Sequence, residues 1–301
     1  MTALADLHRH LDGALRPSTV AELAAAEGLV VPADLPFFPG MGLVAALDRF
    51  RVTLSLLRTP DRVARVAAEM CEDAAAEGVT TLEIRFAPQL HGGASVEAIV
   101  DAALDGLDGR AGLILCGLYG EAPAVLERLV DVARTRPGVV GIDLAGGPAP
   151  TQTFRLADYA APFRRARDLG LGRTVHAGEG RPPDELRVAI EQLHAQRIGH
   201  GTTLLDDPRV VDLVLERGVT LEACPTSNVH TGVIRAFSEH PLVRWLSLGV
   251  KACVCADNSL LSDVSTAQEY ERASKLPGMT ASLLAKAVAH GHAARFVRGS
   301  S

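Results

Sequence analysis

The stretch VKACVCADN, residues 250–258, is the last of eight short apolar segments that decide the fold of this chain. Its apolar run stops abruptly at Asp257 and Asn258. Helix-like stretches separate the segments, and this alternation predicts a parallel (β/α)8 TIM barrel, which typically takes about 250 residues. A doubly wound sheet uses the same alternation, so the segment count leaves both folds open. The other seven segments are residues 5–11, 80–88, 111–120, 139–146, 172–179, 197–203 and 219–225.

The connection after the first segment is much longer than the others. We predict a single barrel domain over residues 1–301, with an extra helical segment at about 12–79 over the barrel mouth. The first helix of this segment is expected to begin near Pro17, with Thr19 and Glu22 forming a capping box. Two further helices, each ending in glycine, are predicted at residues 61–78 and 207–218.

Composition limits the possible classes of protein. The 301-residue chain is 48% hydrophobic and 22% charged, with a formal net charge of −6. The hydrophobic share is typical of a large core, and the negative charge argues against a nucleic-acid surface. Neither a signal peptide nor an apolar stretch of about 18 residues is found, so no membrane segment is predicted. The five cysteines are odd in number and lie mostly in apolar stretches, which favours a cytoplasmic location. The sequence leaves the oligomeric state open.

Polar or glycine residues follow nearly every apolar segment. In barrel enzymes the active site lies at the carboxyl ends of the strands, so we expect these residues to meet at one end. Six or seven strands that deliver polar groups to one end indicate a functional site. The residues are His8, His10, Glu83, Arg85, Asp143, Gly146, His176, Glu179, His200, Glu222, Asp257 and Asn258.

Three histidines and one aspartate in this set predict a metal site. His8 and His10 are two residues apart on a predicted strand, so both side chains project from one face. His176 and Asp257 end two other strands. Each residue alone is a weak signal, since a single histidine is more often structural and Asp257 alone resembles a turn residue. Together they suit Zn²⁺ with an open position for water.

Two further residues are candidates for proton transfer. Glu179 lies three residues after His176, where it is either a helix-start carboxylate or a general acid/base. His200 ends the next strand, where it is either a hydrogen-bonded turn residue or a partner of the metal-activated water.

Five motifs, in this order, resemble the adenosine deaminase family of zinc barrels. They are LHRHLDGALRP, DLAG, TVHAGE, RIGHGTT and LEACPTSN. The resemblance runs from residue 5 to about 262 and implies a metal-dependent amidohydrolase type of TIM barrel. It also implies deamination of a 6-aminopurine nucleoside, most directly adenosine to inosine and ammonia. The combination of motifs is specific to the family, although each motif alone is weak.

The resemblance also implies roles for individual residues. It implies that Glu179 gives a proton to purine N1 and that His200 supports the attacking hydroxide. The backbone N–H of Gly146 would meet purine N3, and Asp12 would bind the ribose 5′-hydroxyl, which favours a nucleoside over a free base. One zinc ion per chain would be held by His8, His10, His176 and Asp257.

One departure bears on the substrate. The family's adenosine enzymes usually carry a second aspartate and a proline after the metal aspartate, whereas this chain has Asn258 and Ser259. An asparagine can still donate a hydrogen bond to purine N7. We therefore expect Asn258 to contact the substrate, with a modified adenosine, free adenine or another amino-heterocycle as alternative substrates.

Other classes of function fit the sequence less well. A two-metal hydrolase would need a bridging lysine, and none of the three lysines ends a middle strand. A thiol enzyme could pair Cys224 with His200, although nothing beside Cys224 activates it. A binding protein without activity is disfavoured because Glu179 accompanies the four predicted ligands. The other histidines are expected mostly at the surface: His91, His194, His230, His240, His290 and His292.

Overall fold

Eight parallel strands form the centre of the molecule, in the order of the chain. The computed structural model describes residues 3–147 and 152–298. Successive strands pair in parallel, without the reversal of order that a doubly wound sheet requires. The predicted (β/α)8 barrel is therefore confirmed. The strands are Leu4–His10 (β1), Val79–Phe86 (β2), Gly112–Leu118 (β3), Val139–Ala145 (β4), Gly172–Ala177 (β5), Arg197–His200 (β6), Thr220–Ala223 (β7) and Lys251–Val254 (β8).

Asp257 closes the barrel between its last and first strands. A parallel bridge joins Arg9 to Asp257, beyond the end of β8. The backbone N–H of Asp257 donates to His8 O over 2.9 Å, and the N–H of His10 donates to Asp257 O over 2.8 Å. The same short segment therefore completes the sheet and places the Asp257 side chain beside β1.

Helices cover the outside of the barrel. The predicted helices at 61–78 and 207–218 correspond to α3 and α8, and Gly218 ends α8 in the left-handed region with φ of 63°. The helices are Pro17–Glu27 (α1), Leu43–Leu56 (α2), Pro60–Ala76 (α3), Val96–Leu107 (α4), Pro123–Arg134 (α5), Ala160–Asp168 (α6), Asp184–Glu191 (α7), Pro208–Arg217 (α8), Pro225–His230 (α9), Leu242–Ser247 (α10), Thr266–Ser274 (α11) and Ala281–Ala294 (α12).

The predicted capping box of α1 is wrong. Pro17 does begin the helix, but this places Thr19 inside the first turn rather than before it. Thr19 is buried and its hydroxyl donates to Glu69 Oε2 over 2.7 Å. Glu22 faces outward and pairs with Arg65 at 2.7 Å. Both side chains therefore contact residues of α3 instead of capping α1.

The lower, amino-terminal half of the barrel interior is charged rather than apolar. Arg197 lies 2.6 Å from Glu83 and 2.7 Å from Glu222, and Arg85 lies 2.8 Å from both Glu222 and Asp143. All five side chains are buried. Glu83 was expected at the carboxyl end of β2, and this is wrong. It pairs with Arg197, the first residue of β6, and so belongs to the opposite end.

The long connection after β1 contains α1 and α2. Side chains of α2, among them Leu47, Phe50 and Leu54, line a cavity at the carboxyl end of the barrel. The single-domain organisation with residues at about 12–79 over the mouth stays a prediction. Among the helices of the described residues, none combines the length and apolarity needed to cross a bilayer.

Candidate active site

The four predicted metal-binding side chains converge at the carboxyl end of the barrel. The Nε2 atom of His10 lies 3.2 Å from Nε2 of His8 and 3.3 Å from Nε2 of His176. Asp257 Oδ1 lies 3.5 Å from Nε2 of both His8 and His10. A tetrahedral ion about 2.0–2.2 Å from each ligand atom would hold those atoms about 3.3–3.6 Å apart. The measured spacing therefore fits a single ion.

Two carboxylates beneath this cluster fix the hydrogens of its histidines. His8 Nδ1 lies 2.8 Å from Glu222 Oε2, and His176 Nδ1 lies 3.0 Å from Asp143 Oδ2. Burial opposes ionisation of both carboxyl groups, but neighbouring positive charges, Arg85 among them, hold their pKa values below the ordinary range. An ionised carboxylate only accepts hydrogen bonds, so each neutral imidazole carries its hydrogen on Nδ1. When neutral, both rings therefore direct a bare Nε2 toward the other predicted ligands, as metal-binding histidines do.

The charges and lone pairs of the cluster favour the binding of a cation. Burial lowers the pKa values of His10 and His176, which keeps both rings neutral. Burial opposes the ionisation of Asp257, but its contacts with His8 and His10 hold its pKa well below the ordinary value. Burial also lowers the pKa of His8, yet its carboxylate partners outweigh this and raise it, so a proton on His8 would compete with a metal ion. Converging lone pairs and one carboxylate match the ligands of Zn²⁺.

Two of the five described non-glycine residues with positive φ are predicted site residues. His200 and Asp257 have φ values of 65° and 62°, in the left-handed region that non-glycine residues rarely adopt. Each such conformation costs about 1–3 kcal/mol and persists only where surrounding contacts impose it. The backbone at the end of β6 and just after β8 therefore holds these two side chains in place, and its strain lowers the free energy of unfolding.

Glu179 lies in a turn that only glycine neighbours allow. Gly178 and Gly180 both have positive φ, and a Cβ at Gly178 would come within 2.2 Å of Leu186 Cδ1. The turn directs Glu179 toward the cluster, where its Oε2 lies 3.8 Å from His200 Nε2. The carboxylate thus lies beside His200 at the wall of the cavity, and its role in proton transfer stays a prediction.

A cavity of about 270 Å³ opens above the cluster. Its wall includes Asp12, Gly146, Asn258, Glu179 and His200. The structure therefore brings every predicted site residue except His8 to the wall of one cavity, while the fully buried His8 contacts His10 beneath it, and their roles stay predictions. The rest of the wall is largely apolar and comes from α2 and from the loops after β2, β3 and β4.

Two predicted substrate contacts have oxygen atoms without partners. Asp12 Oδ1 and Asn258 Oδ1 are buried and accept no hydrogen bond from the described residues. Burial raises the pKa of Asp12 to about 7. Asn258 Oδ1 packs against the backbone of Gly13, where an added Cβ would lie 2.1 Å away. Buried polar atoms are normally satisfied, so Asp12, which lines the cavity, could bond a polar ligand there, whereas Asn258 Oδ1 faces the Gly13 backbone.

Cys224 does not have the character of a nucleophile. Its side chain is buried, and its Sγ donates to Glu222 O at 3.7 Å. Burial raises the pKa of the thiol well above the ordinary value, whereas a nucleophilic cysteine needs a lowered pKa.

Sequence reasoning missed several residues of the site. It placed Asp143, Glu222 and Arg85 near strand ends without assigning them a role. In the structure Asp143 and Glu222 contact the Nδ1 atoms of His176 and His8, and Arg85 pairs with both carboxylates. Sequence reasoning also expected surface histidines, whereas His91 and His240 are buried. A carboxylate near the end of a barrel strand was the available signal for Asp143 and Glu222, while nothing in the spacing of His240 indicates burial.

The fold and the site together define a class, a parallel barrel with a histidine-rich cluster at the carboxyl ends of its strands that could hold a metal ion. Residues 3–299 match the family model described as adenosine deaminase. The chain is 35% identical over 298 residues to an adenosine deaminase of Serratia proteamaculans, covering 92% of this chain and 89% of that protein. The chain belongs to the adenosine deaminase family, and it is an enzyme that hydrolyses a carbon–nitrogen bond.

Solved structures agree with this assignment. An adenine deaminase from Arthrobacter aurescens superposes with a TM-score of 0.89 at 25% identity, covering 100% of this chain and 95% of that one. An amidohydrolase from Burkholderia ambifaria with bound zinc gives a TM-score of 0.87 at 25% identity, covering 98% of this chain and 85% of that one. The similarity to this zinc-bound barrel, together with the buried His/Asp cluster, suggests a metal ion in this family member.

Proposed function

We propose that this enzyme is a zinc-dependent deaminase of 6-aminopurine nucleosides, with adenosine as the leading substrate and inosine and ammonia as products. One observation carries the proposal: Asp12, whose Oδ1 accepts no hydrogen bond from the described residues, lines the same cavity as Glu179 and three of the predicted metal ligands. Relatives with the name adenosine deaminase support the substrate class. All five cysteines are buried and free, which supports the expected reducing, cytoplasmic setting.

One zinc ion per chain would be held by His8, His10, His176 and Asp257. A bound zinc ion supplies Lewis-acid activation of water at neutral pH. The carboxylates of Glu222 and Asp143 would keep His8 and His176 oriented for binding.

Glu179 would supply the proton that the purine ring needs. Attack of water at C6 adds electron density to N1, and a proton delivered there lets the amino group leave as ammonia. The Glu179 carboxyl group stands at the wall of the cavity, close to His200 and to the cluster. His200 would hold the attacking water by a hydrogen bond, since burial lowers its pKa to about 4 and keeps its ring neutral.

Asp12 supports a nucleoside substrate over a nucleotide. A carboxyl group with a pKa near 7 can accept from or donate to a neutral hydroxyl, but it repels a phosphate. The cationic residue in the described wall of the cavity is Arg51, which is largely exposed and already pairs with Asp48 at 2.8 Å. Free adenine would leave the buried Asp12 oxygen without a partner, which costs binding energy.

Ammonia release from a panel of substrates tests the proposal. We expect adenosine to react faster than 5′-deoxyadenosine, adenine and AMP. The Asp12→Ala variant should lose about 10–150-fold in kcat/KM on adenosine, since a charge-assisted hydrogen bond contributes about 1.5–3 kcal/mol. Its rate on 5′-deoxyadenosine should change much less.

The same panel contains the outcomes that contradict the proposal. Faster turnover of adenine or AMP by the parent enzyme would reject the nucleoside assignment. Equal losses of Asp12→Ala on both nucleosides would remove Asp12 from sugar recognition. 7-Deazaadenosine, which lacks N7, should react more slowly than adenosine if Asn258 contacts N7, and equal rates would favour another amino-heterocycle as the substrate.

A further inference from the structure

Three side chains form a buried chain of hydrogen bonds behind the predicted site. His200 Nδ1 lies 3.0 Å from Asn228 Nδ2, and Asn228 Oδ1 lies 3.2 Å from His240 Nε2. The backbone N–H of Leu242 donates to His240 Nδ1 over 3.2 Å. The exposed fractions of His200, Asn228 and His240 are 2%, 0% and 5%, so water does not compete for these contacts.

We propose that Asn228 and His240 are positioning residues that fix His200 as the tautomer with its hydrogen on Nε2. In this tautomer His200 faces the reacting water as a hydrogen-bond donor and cannot act there as a general base. The tautomer follows from the contacts alone, and its use in the reaction rests on the proposed function.

The direction of the chain follows from its last member. A backbone N–H can only donate, so His240 Nδ1 must be the bare, accepting nitrogen. Burial lowers the pKa of His240 to about 3, so the ring is neutral and carries its one hydrogen on Nε2. His240 Nε2 therefore donates to an oxygen, which makes the facing Asn228 atom Oδ1.

The orientation of the amide then sets the state of His200. With Oδ1 of Asn228 facing His240, the NH₂ group faces His200 and must donate to it. His200 Nδ1 is therefore bare, and the neutral ring has its hydrogen on Nε2. This is the nitrogen that lies 3.8 Å from Glu179 Oε2.

The same reasoning separates His200 from the predicted metal ligands. In their neutral forms His8 and His176 carry their hydrogens on Nδ1, because each faces a carboxylate there, and both then present bare Nε2 atoms to a metal ion. His200 lies close enough to both rings to complete a possible ligand set, with ring centroids 5.0 and 5.2 Å away. A protonated Nε2 has no lone pair for a metal ion, so His200 is left for the water.

With His200 unable to accept a proton, Glu179 carries out the two proton transfers that accompany attack of water at C6. As water oxygen bonds to C6, an O–H bond of the water breaks and its proton passes to the Glu179 carboxylate. Glu179 then gives that proton to N1, whose electron pair accepts it. The amino group takes its further proton from the new hydroxyl on C6, so the C6–N bond breaks, ammonia leaves and a C6 carbonyl remains. His200 keeps its own hydrogen throughout. His200 stabilises the attacking oxygen without changing its protonation.

The packing around the chain keeps it rigid. His240 stacks edge-to-face on Trp245, with ring centroids 5.4 Å apart. Asn228 lies on α9, and the first turn of that helix is tied to α11, because Thr226 N donates to Glu269 Oε1 over 2.7 Å. The left-handed backbone of His200 fixes the ring on the other side.

Nuclear magnetic resonance can read the tautomer directly. Long-range ¹H–¹⁵N correlation of the ¹⁵N-histidine-labelled enzyme distinguishes a protonated from a bare ring nitrogen, and His200→Gln assigns the signal. We expect a protonated Nε2 and a bare Nδ1 in the parent enzyme. A protonated Nδ1 would overturn the proposal, whether or not adenosine is a substrate. Failure of the parent to release ammonia from adenosine would instead reject the proposed function and leave the spectrum unchanged.

Variants connect the tautomer to the rate. In Asn228→Asp, a carboxylate facing Nδ1 should draw the hydrogen there and reverse the tautomer. His240→Phe should lower kcat about 10–100-fold with little change in KM, as loss of an orienting partner does, and His240→Gln should restore part of the rate because its amide can donate to Asn228. His91→Gln is the matched control, since His91 is equally buried but its Nδ1 faces Leu57 O. If His240→Phe keeps kcat within about twofold of the parent, His240 is not a positioning residue.

Discussion

The two ends of the barrel interior are equally buried and both charged, yet they differ in how their charges are matched. At the lower end Glu83 and Glu222 face Arg197 within ion-pair distance. At the upper end, among the described residues, no arginine or lysine lies within ion-pair distance of Asp12, Glu179 or Asp257. Buried charge alone therefore does not mark a site. A site is marked instead by carboxylates without a cationic partner and by converging nitrogen lone pairs. Burying such groups is costly unless a ligand or an ion pairs with them.

The largest effect is expected from breaking the upper end. The His8→Ala/His10→Ala variant should contain no bound metal and lose about 10⁴-fold or more in rate, because metal-ion catalysis contributes several kcal/mol. Elemental analysis of enzyme purified without added metal, together with ammonia release, measures both effects. His194, a half-buried histidine outside the cluster, changed to alanine, is the control. One metal ion per double-mutant chain would refute the ligand assignment.

A smaller effect is expected where the metal site stays intact. Glu179→Gln keeps the shape of the side chain but cannot carry the proton, so the rate should fall about 10²–10⁴-fold. The metal content should equal that of the parent, since Glu179 is not among the predicted ligands. A variant within about threefold of the parent rate would show that Glu179 is a structural turn residue.

Glu222 and Glu83 allow the two ends to be compared directly. Both face Arg197, but only Glu222 also contacts His8 Nδ1. Each glutamine substitution should lower the free energy of unfolding by about 3–5 kcal/mol, because it leaves a buried arginine short of its partner. Glu222→Gln should also weaken metal affinity about 10–100-fold.

Chelator competition and urea unfolding separate these two outcomes. Glu83→Gln should retain the parent's metal affinity, because its network does not reach a predicted ligand directly. Equal losses of affinity in both variants would mean that the lower network acts on the site only through general stability.

The smallest effect concerns a buried carboxyl group beside the site. Burial raises the pKa of Glu269 from 4.5 to about 7 against the contacts from Thr226 and the charge of Arg272, and Asp6 raises it further. The folded state therefore binds more protons than the unfolded state between these pH values. The contribution to stability is full below about pH 4.5 and is lost as pH rises through about 7, up to roughly 3 kcal/mol.

The Glu269→Gln variant tests this dependence. Glutamine does not titrate, so the fall in the free energy of unfolding between pH 5 and pH 8 should be smaller in the variant than in the parent. Urea unfolding at the two pH values measures the difference. Glu271→Gln, at an exposed neighbouring position, is the control and should not flatten the slope. An unchanged slope in Glu269→Gln would mean that Glu269 is ionised throughout this range.

The sequence by itself determined the number and order of the strands and the residues that gather at their carboxyl ends. It did so because strands buried on both faces read as continuous apolar runs, and because parallel strands bring their carboxyl ends to the same side. The spacing of His8 and His10, and the polar stop at Asp257, could therefore be interpreted without coordinates. The family motifs added the substrate class.

Only the tertiary structure decided how those residues are supported. It placed Glu83 at the lower end, moved Thr19 from a helix cap to a contact with Glu69, and buried His240 behind Asn228. These outcomes depend on pairing between residues far apart in the chain, where one partner's position decides the other's hydrogen-bonding state. A local pattern specifies which face a side chain occupies, but it does not specify the distant group that satisfies it.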